Sequence, residues 1–413
     1  MPSLIVVGGG VAGLTIARDL AIGGMSVTLL EAGDHLGGKV ARHSVAGVDL
    51  DAGAESFATR NSTVAALAAE LGLEVVAPRA EPAWLKPVTG EPIPLPVTSL
   101  LGIPGRPLSA DVVSVVGLPA ALRARLDAVL PARAGAAERT LGALVRRRMG
   151  DAVLERLVAP IVTGIHSRHP DDLDVDVVAP GLRAALLREG SLAAAVRTLR
   201  AGAPAGSAVA GIRGGIYELV LGLARDAEVR GVRIRLGARV SSVEEHAVTV
   251  AGERIEADRV VLATPLDAPA DTTITLATLV VDQQALDIAP RGTGLLVAAG
   301  ADGVSAKALT HSTAKWSWLA AGIPAHRHVI RLSYGTPPDD LRSSALSDAE
   351  ALLGVGLPEV LGFDVVEWPA VPPRPAAVPG VTMIGESVSG TGLVAVITGA
   401  RNEAERLLGG VET

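Results

Sequence analysis

Three rhythms of apolar and polar positions run along the chain. Unbroken apolar runs, Leu4-Ile5-Val6-Val7 first and residues 26–30 next, predict short strands buried on both faces. Helical spacing marks residues 14–20, about 61–71 with Asn61 or Ser62 as cap, 217–227 and 393–408. Further strands are predicted at 48–51, 232–236, 240–244, 247–250, 259–263 and 381–384. Strand and helix therefore alternate, which predicts an α/β fold built on a Rossmann-like parallel sheet. Between about 111 and 200 the rhythm changes to Ala, Leu and Arg at helical spacing, as in Leu141, Leu144, Val145 and then Val153, Leu154, Leu157, Val158, which predicts a helical cap. Seven prolines between Pro82 and Pro107 exclude a helix or a central strand there and mark a crossing between domains. From 272 to 366 the pieces 295–299, 307–310 and 329–334 suit an antiparallel sheet flooring a substrate cavity.

The first strand opens directly into Gly8-Gly9-Gly10-Val11-Ala12-Gly13, and the second ends in Glu31, eighteen residues beyond Gly13. In such a unit the first glycine allows the tight turn, the second lets the backbone approach a pyrophosphate, and the third lets helix pack closely on strand. The helix N-terminus then offers N–H groups to the phosphates, and the acid accepts from a ribose. With 47 glycines among 413 residues, a plain Gly-rich turn is the competing reading. Agreement of strand, turn, helix, second strand and acid favours dinucleotide binding.

Composition narrows the chemistry. Hydrophobic residues make up 49%, mostly Ala, Val and Leu, enough for more than one aliphatic core. A net charge of −7 argues against a nucleic-acid partner. The short basic cluster Arg146-Arg147-Arg148 reads as a solvated helix face or the rim of a site. The chain has no Cys, which removes disulfides, thiolate metal sites, a cysteine-linked cofactor and any dithiol pair. Met1-Pro2-Ser3 leads straight into the first strand, leaving no room for a signal peptide, and no apolar run reaches the roughly 18 residues of a spanning helix. The expectation is a cytoplasmic protein, with peripheral membrane contact left open.

The order of these pieces resembles the flavin-containing amine oxidase superfamily, and within it the protoporphyrinogen and coproporphyrinogen oxidase family. The likeness rests on 7–13, on Leu30-Glu31-Ala32 through Leu36-Gly37-Gly38-Lys39, on Asp51-Ala52-Gly53-Ala54-Glu55-Ser56-Phe57, on Ala306 to Thr310 with Ala314-Lys315-Trp316, and on Gly385-Glu386 with Gly392-Leu393. It implies FAD, in a discontinuous FAD-binding domain over 1–80, 205–265 and 378–413, a mixed β-sheet substrate-binding domain over 81–110 and 266–377, and the helical cap over 111–204. By that resemblance Gly8, Gly10, Val11, Ala12 and Gly13 hold the pyrophosphate, Glu31 with Ala32 the adenosine ribose, and Gly37, Gly38 and Lys39 the loop beside the ribityl chain. Gly53, Ala54, Glu55, Ser56 and Trp316 join the cofactor set, and the backbone of Val240 meets adenine. Gly385 and Glu386 contact the phosphate-ribityl portion through amides, since a bare carboxylate repels phosphate. The amides of Gly392, Leu393 and Val394 face the flavin's pyrimidine end. The chain departs from the family at Gly164-Ile165-His166-Ser167-Arg168-His169, where Arg168 replaces a small glycine, and at Ala54, where proline is common.

The implied chemistry is oxidation of a porphyrinogen, with molecular oxygen as acceptor and hydrogen peroxide as by-product, in haem biosynthesis. Its tetrapyrrole substrate carries carboxylate arms, so basic residues belong at the pocket mouth. The candidates are Arg60, Lys86 and Arg168, each of which also reads as an ordinary surface cation. Lys315 beside Trp316 reads equally as a flavin neighbour or as strand-end packing. His166 and His169 lack a third ligand, so no metal is expected. An Ala- and Arg-rich composition suggests a high-GC bacterial gene, and Gram-positive members of the family tend to act on coproporphyrinogen III, which makes it the first choice over protoporphyrinogen IX. An amine oxidase shares the fold and the FAD signatures, and a carotenoid-type desaturase or a non-catalytic flavoprotein also stay open. Hand-over of the porphyrin to a downstream haem-pathway enzyme is not legible in the sequence.

Overall fold

The computed structural model describes residues 2–59, 61–81, 83–96, 98–166, 168–201, 209–264, 273–369 and 377–409, with side chains left aside at 164–166. It divides into one unit of 1–78, 207–274 and 366–413 and a second of 79–206 and 275–365.

The first unit is built on a parallel five-stranded sheet in the order Arg233–Arg235, Ser26–Leu30, Ser3–Val7, Arg259–Leu262, Thr382–Met383. Because side chains alternate across a strand, Leu4 and Val6 enter a core shared with the helices Val11–Ile22, Thr63–Glu70, Tyr217–Val229 and Leu393–Gly409. Ile5 and Val7 point the other way, onto a small antiparallel sheet of Val240–Glu244, Ala247–Val250 and Glu253–Glu256. Both faces are covered, which explains an apolar run without polar alternation. The helix predicted at 14–20 starts earlier, at Val11, with Gly10 as its cap and Gly13 in its first turn. Arg18, buried, ties three of those helices by reaching Asp19 at 3.0 Å, Glu70 at 3.0 Å and Asp226 at 2.6 Å.

The second unit holds a seven-stranded sheet in the order Val360–Pro369, Thr273–Asp282, Arg327–Tyr334, Ala308–His311, Gly294–Val297, Trp84–Lys86, Ile93–Pro94. The strands within 272–366 pair antiparallel as expected, and the parallel pairing of Gly294–Val297 with Trp84–Lys86 makes the whole sheet the mixed one expected. Four pieces of the proline-rich segment are strands, at 84–86, 93–94, 99–100 and 103–104, and two join this sheet: Trp84–Lys86 lies inside it against expectation, free of proline itself, and Pro94 is on the edge, where a missing N–H breaks no ladder. Helix Leu341–Leu353, which apolar spacing did not reveal, seals one face through Ala345, Ala349, Leu352 and Leu353. The predicted helical region is there as Ala110–Val116, Leu118–Arg125, Leu141–Met149, Ala159–His166, Leu182–Glu189 and Leu192–Arg200, around its own core. One expectation fails inside it. Arg148 of the basic cluster is 0% exposed, paired with the equally buried Asp127. Arg146 pairs with Asp171 at 2.9 Å rather than standing free.

Candidate cofactor site

The Gly8–Gly13 turn leaves the carboxyl end of Ser3–Val7. From that strand the sheet grows first toward Ser26–Leu30 and later toward Arg259–Leu262, so the turn sits at the switch point where open α/β sheets bind ligands. A Cβ on Gly13 would overlap the carbonyl oxygen of Gly8, so only glycine lets the helix seat there. A Cβ on Gly10 would meet nothing within 4 Å. The turn therefore faces open space, and Gly10 caps helix Val11–Ile22 without any side-chain bond. The first-turn amides at Val11, Ala12 and Gly13 have no carbonyl within the helix to serve, and the helix dipole adds positive potential. An FAD diphosphate fits this cradle.

Around the turn the structure gathers most of the expected positions into the first unit. Glu31 accepts from the Gly9 amide at 2.7 Å through Oε2 and from the Gly33 amide at 2.8 Å through Oε1. Each oxygen keeps lone pairs for a ribose. The Gly37 amide donates to the Gly9 carbonyl at 2.9 Å. A Cβ on Gly53 would overlap the Lys39 carbonyl, which brings 53–56 beside 37–39. A Cβ on Gly385 would lie 3.8 Å from that of Ala12. The Ala238 amide donates to the Glu31 carbonyl at 2.8 Å, and Val240 follows two residues later, buried. Helix Leu393–Gly409, with Leu393 and Ile397 inward, shares the core of Val11–Ile22.

One feature of the site left no sequence signal. Lys39 Nζ donates to Glu386 Oε2 at 2.7 Å and to the Pro369 carbonyl at 3.3 Å. The carboxylate that would repel phosphate is thereby matched by an ammonium. Asp51 also has a role that its motif did not announce, since its Oδ1 accepts from the Tyr217 amide at 2.8 Å and anchors helix Tyr217–Val229.

Three other candidates, Lys86, Arg168 and Trp316, belong to the second unit. Arg60 falls outside the described residues. Lys86 is buried in its strand and donates to the Gly90 carbonyl at 2.7 Å. Arg168 is exposed, with one Nη donating to the Asp172 carbonyl at 2.8 Å. His169 Nδ1 accepts from the Asp171 amide at 3.2 Å, and the His166 side chain is not described. Trp316 is buried in the second unit, with Lys315 Nζ 5.0 Å from its ring centre. Also in that unit is a buried histidine pair that the sequence did not announce. His311 Nε2 lies 3.0 Å from His328 Nδ1, and His328 Nε2 3.1 Å from Asp287 Oδ1. Burial pushes His311 down to about 3, helped by the neighbouring His328 and Arg79, and burial also lowers His328 against the pull of Asp287. Among the described residues no group of three His, Cys, Asp or Glu is placed to hold a metal ion, and no helix is long and apolar enough to cross a membrane.

This geometry can be set beside known proteins. The profile of the Flavin containing amine oxidoreductase family matches residues 11–299. A coproporphyrinogen III oxidase of Mycobacterium bovis is 32% identical over 371 residues, covering 84% of this chain and 79% of its own length. A coproporphyrinogen III oxidase of Propionibacterium freudenreichii is 28% identical, covering 98% of this chain and 90% of its own. Among solved structures, a protein of Exiguobacterium sp. 255-15, provisionally described as a protoporphyrinogen oxidase, superposes with a TM-score of 0.82 at 24% identity, covering 100% of this chain and 99% of its own, a likeness of fold. With the cradle and the matched profile in agreement, the chain belongs to the flavin containing amine oxidoreductase family and is an oxidoreductase whose cofactor is FAD.

Proposed function

We propose that this chain oxidises coproporphyrinogen III to coproporphyrin III in the cytosol, passing the electrons to molecular oxygen and releasing hydrogen peroxide, as a step of haem biosynthesis. The observation that carries the reading is the sequence kinship, along 84% of the chain, with a protein known as a coproporphyrinogen III oxidase. In the overall balance the porphyrinogen gives up six hydrogens as six electrons and six protons, and three oxygen molecules take them to three of peroxide.

When bound, FAD supplies the acceptor for hydride from a methylene bridge. The chain's own residues hold and tune it. The amides of Val11, Ala12 and Gly13 bind the diphosphate, Glu31 the ribose, and the Val240 backbone the adenine. Lys39, fixed by Glu386, lies in the loop beside the ribityl chain. The amides of Leu393 and Val394, at the start of a 17-residue helix, favour negative charge at the pyrimidine end. Arg60 and Arg168 hold propionates, Arg168 through the N–H groups that Asp172 leaves free. Lys86 is a weaker choice, because its ammonium already serves the Gly90 turn.

The test is direct. Purified holoprotein is mixed aerobically with coproporphyrinogen III or protoporphyrinogen IX, and porphyrin fluorescence and peroxide are followed against an enzyme-free control. Faster formation of coproporphyrin III is expected. Tightly bound flavin with no turnover of either compound, or turnover of an amine instead, overturns the reading. Arg60→Ala is expected to raise KM more than it lowers kcat, and an unchanged KM at full flavin content removes Arg60 from the site.

A further inference from the structure

The helical region of the second unit carries a half-open pocket of about 510 Å³ to which none of the cofactor-site residues contributes. Its lining includes Arg106, Leu108, Arg125, Asp127, Ser191 and Arg197. Asp127 is the lone carboxylate there and has no oxygen to spare. Its Oδ1 accepts from Arg148 Nε at 2.5 Å and from the Leu192 amide at 3.1 Å, and its Oδ2 from the Ala193 amide at 2.8 Å. Arg148 in turn donates to the carbonyls of Asp127, Pro131, Ala134 and Gly190. The floor is therefore a charge-neutral, fully bonded plate that fixes the start of helix Leu192–Arg200.

The walls are different. Arg197 donates one N–H to the Gly105 carbonyl at 2.7 Å and meets no carboxylate. Arg106 and Arg125 have neither an ion pair nor a side-chain hydrogen bond among the described residues. Three guanidinium groups thus line one concavity without a free counter-charge, although the whole chain is acidic at −7. A concave wall with one sign of charge concentrates ligands of the other, and a guanidinium fork matches a carboxylate. Beside Ser109 and Ser191 the remaining lining is mostly apolar, through Pro107, Leu108, Ala124, Ala128 and Ala193, and Leu108 is 45% exposed. The volume is that of a small-molecule site and far more than a bare anion fills.

We propose that this pocket binds a soluble amphipathic carboxylate, its apolar body on the alanine and leucine wall and its acid group on Arg106 and Arg125. This binding does not depend on which compound the flavin oxidises. Dodecanoate is the probe, titrated below its micelle concentration into the holoprotein by calorimetry, with dodecanol and phosphatidylglycerol vesicles as controls. Saturable binding of one dodecanoate per chain is expected, with dodecanol about tenfold weaker or more. Arg106→Gln/Arg125→Gln should weaken dodecanoate by at least roughly tenfold while flavin absorbance and thermal midpoint stay unchanged. Arg125→Glu alone, on an exposed side chain, should do the same if the double variant misfolds. Equal affinity in wild type and variants, equal affinity for dodecanol, or no saturable binding overturns the proposal. Binding to vesicles without binding of free dodecanoate also overturns it, in favour of a lipid surface.

Discussion

The cofactor cradle and the floor of the cap pocket solve the same problem, holding charge at a defined place, with opposite materials. The cradle is almost all backbone: a turn whose side chains are absent, helix amides left without carbonyl partners, and one acid, Glu31, clasping Gly9 and Gly33. The cap floor is almost all side chain, with Asp127 and Arg148 sealed from solvent and surrounded by five amide and carbonyl partners from distant segments, the carbonyls of Pro131, Ala134 and Gly190 and the amides of Leu192 and Ala193. A backbone site needs a local arrangement of small residues, so it tolerates change around it but no side chain at Gly13, where a Cβ meets the Gly8 carbonyl. A side-chain site is an assembly of distant parts, and losing one part leaves another unsatisfied.

That contrast can be broken most sharply at Asp127. Asp127→Ala leaves Arg148 buried without its partner and should cost about 3–5 kcal/mol in chemical denaturation, whereas Asp127→Leu with Arg148→Met should recover only part of the loss, because the amides of Leu192 and Ala193 and the carbonyls that Arg148 served stay unpaired. A single variant within about 1 kcal/mol of wild type would show that the floor is not held by this pair. Gly13→Val should come next. Its Cβ meets the Gly8 carbonyl, so a loss of about 1–3 kcal/mol in stability is expected together with loss of flavin absorbance per protein on purification. Retained flavin would mean that helix and turn can separate. Glu31→Ala should weaken FAD by about tenfold, since hydrogen bonds from two amides and the ribose vanish, and fluorescence titration of the apoprotein reads this directly.

The smallest effect concerns the sheet of the second unit, where side chains again hold a buried polar group. Burial keeps His311 neutral in the fold, pushed down to about 3, while the unfolded chain protonates it near its ordinary value of about 6.5. Stability from this group is thus fully present above about pH 6.5 and is lost progressively as pH falls toward the folded value. Between about pH 7.5 and 5.5 the wild type should lose roughly 1 kcal/mol that His311→Leu does not lose, measured by urea denaturation at both pH values. Parallel losses in both proteins would locate the acid sensitivity elsewhere, first at His328, which is lowered by burial too.

The sequence was readable where neighbours in sequence are neighbours in space. Apolar runs buried on two faces gave the central strands, and the glycine turn gave the cradle, because both are local patterns. Strand Val360–Pro369 and helix Leu341–Leu353 were not recovered, since the strand is mostly half-buried and the helix carries Ser, Asp and Glu among its apolar positions. The Arg146-Arg147-Arg148 run reads as a solvated helix face or the rim of a site, because a short basic run carries no local sign of a buried partner. Only Arg148 hides, and its partner stands 21 residues earlier. The Lys39 and Glu386 pair spans 347 residues and has no local signature at all.

That span has a consequence for how the protein is made. The five strands of the central sheet come from residues 3–7, 26–30, 233–235, 259–262 and 382–383, and helix Leu393–Gly409 packs on Val11–Ile22. At about 5–20 residues per second, Glu386 and the last helix are translated tens of seconds after the glycine turn. Long-range parallel pairings also form slowly. The nascent chain therefore carries an open turn while the residues between are made, and the five-stranded sheet and its helices are complete only once the ribosome has delivered residues 382–409. Captured flavin is in this sense a certificate that translation has passed that last helix.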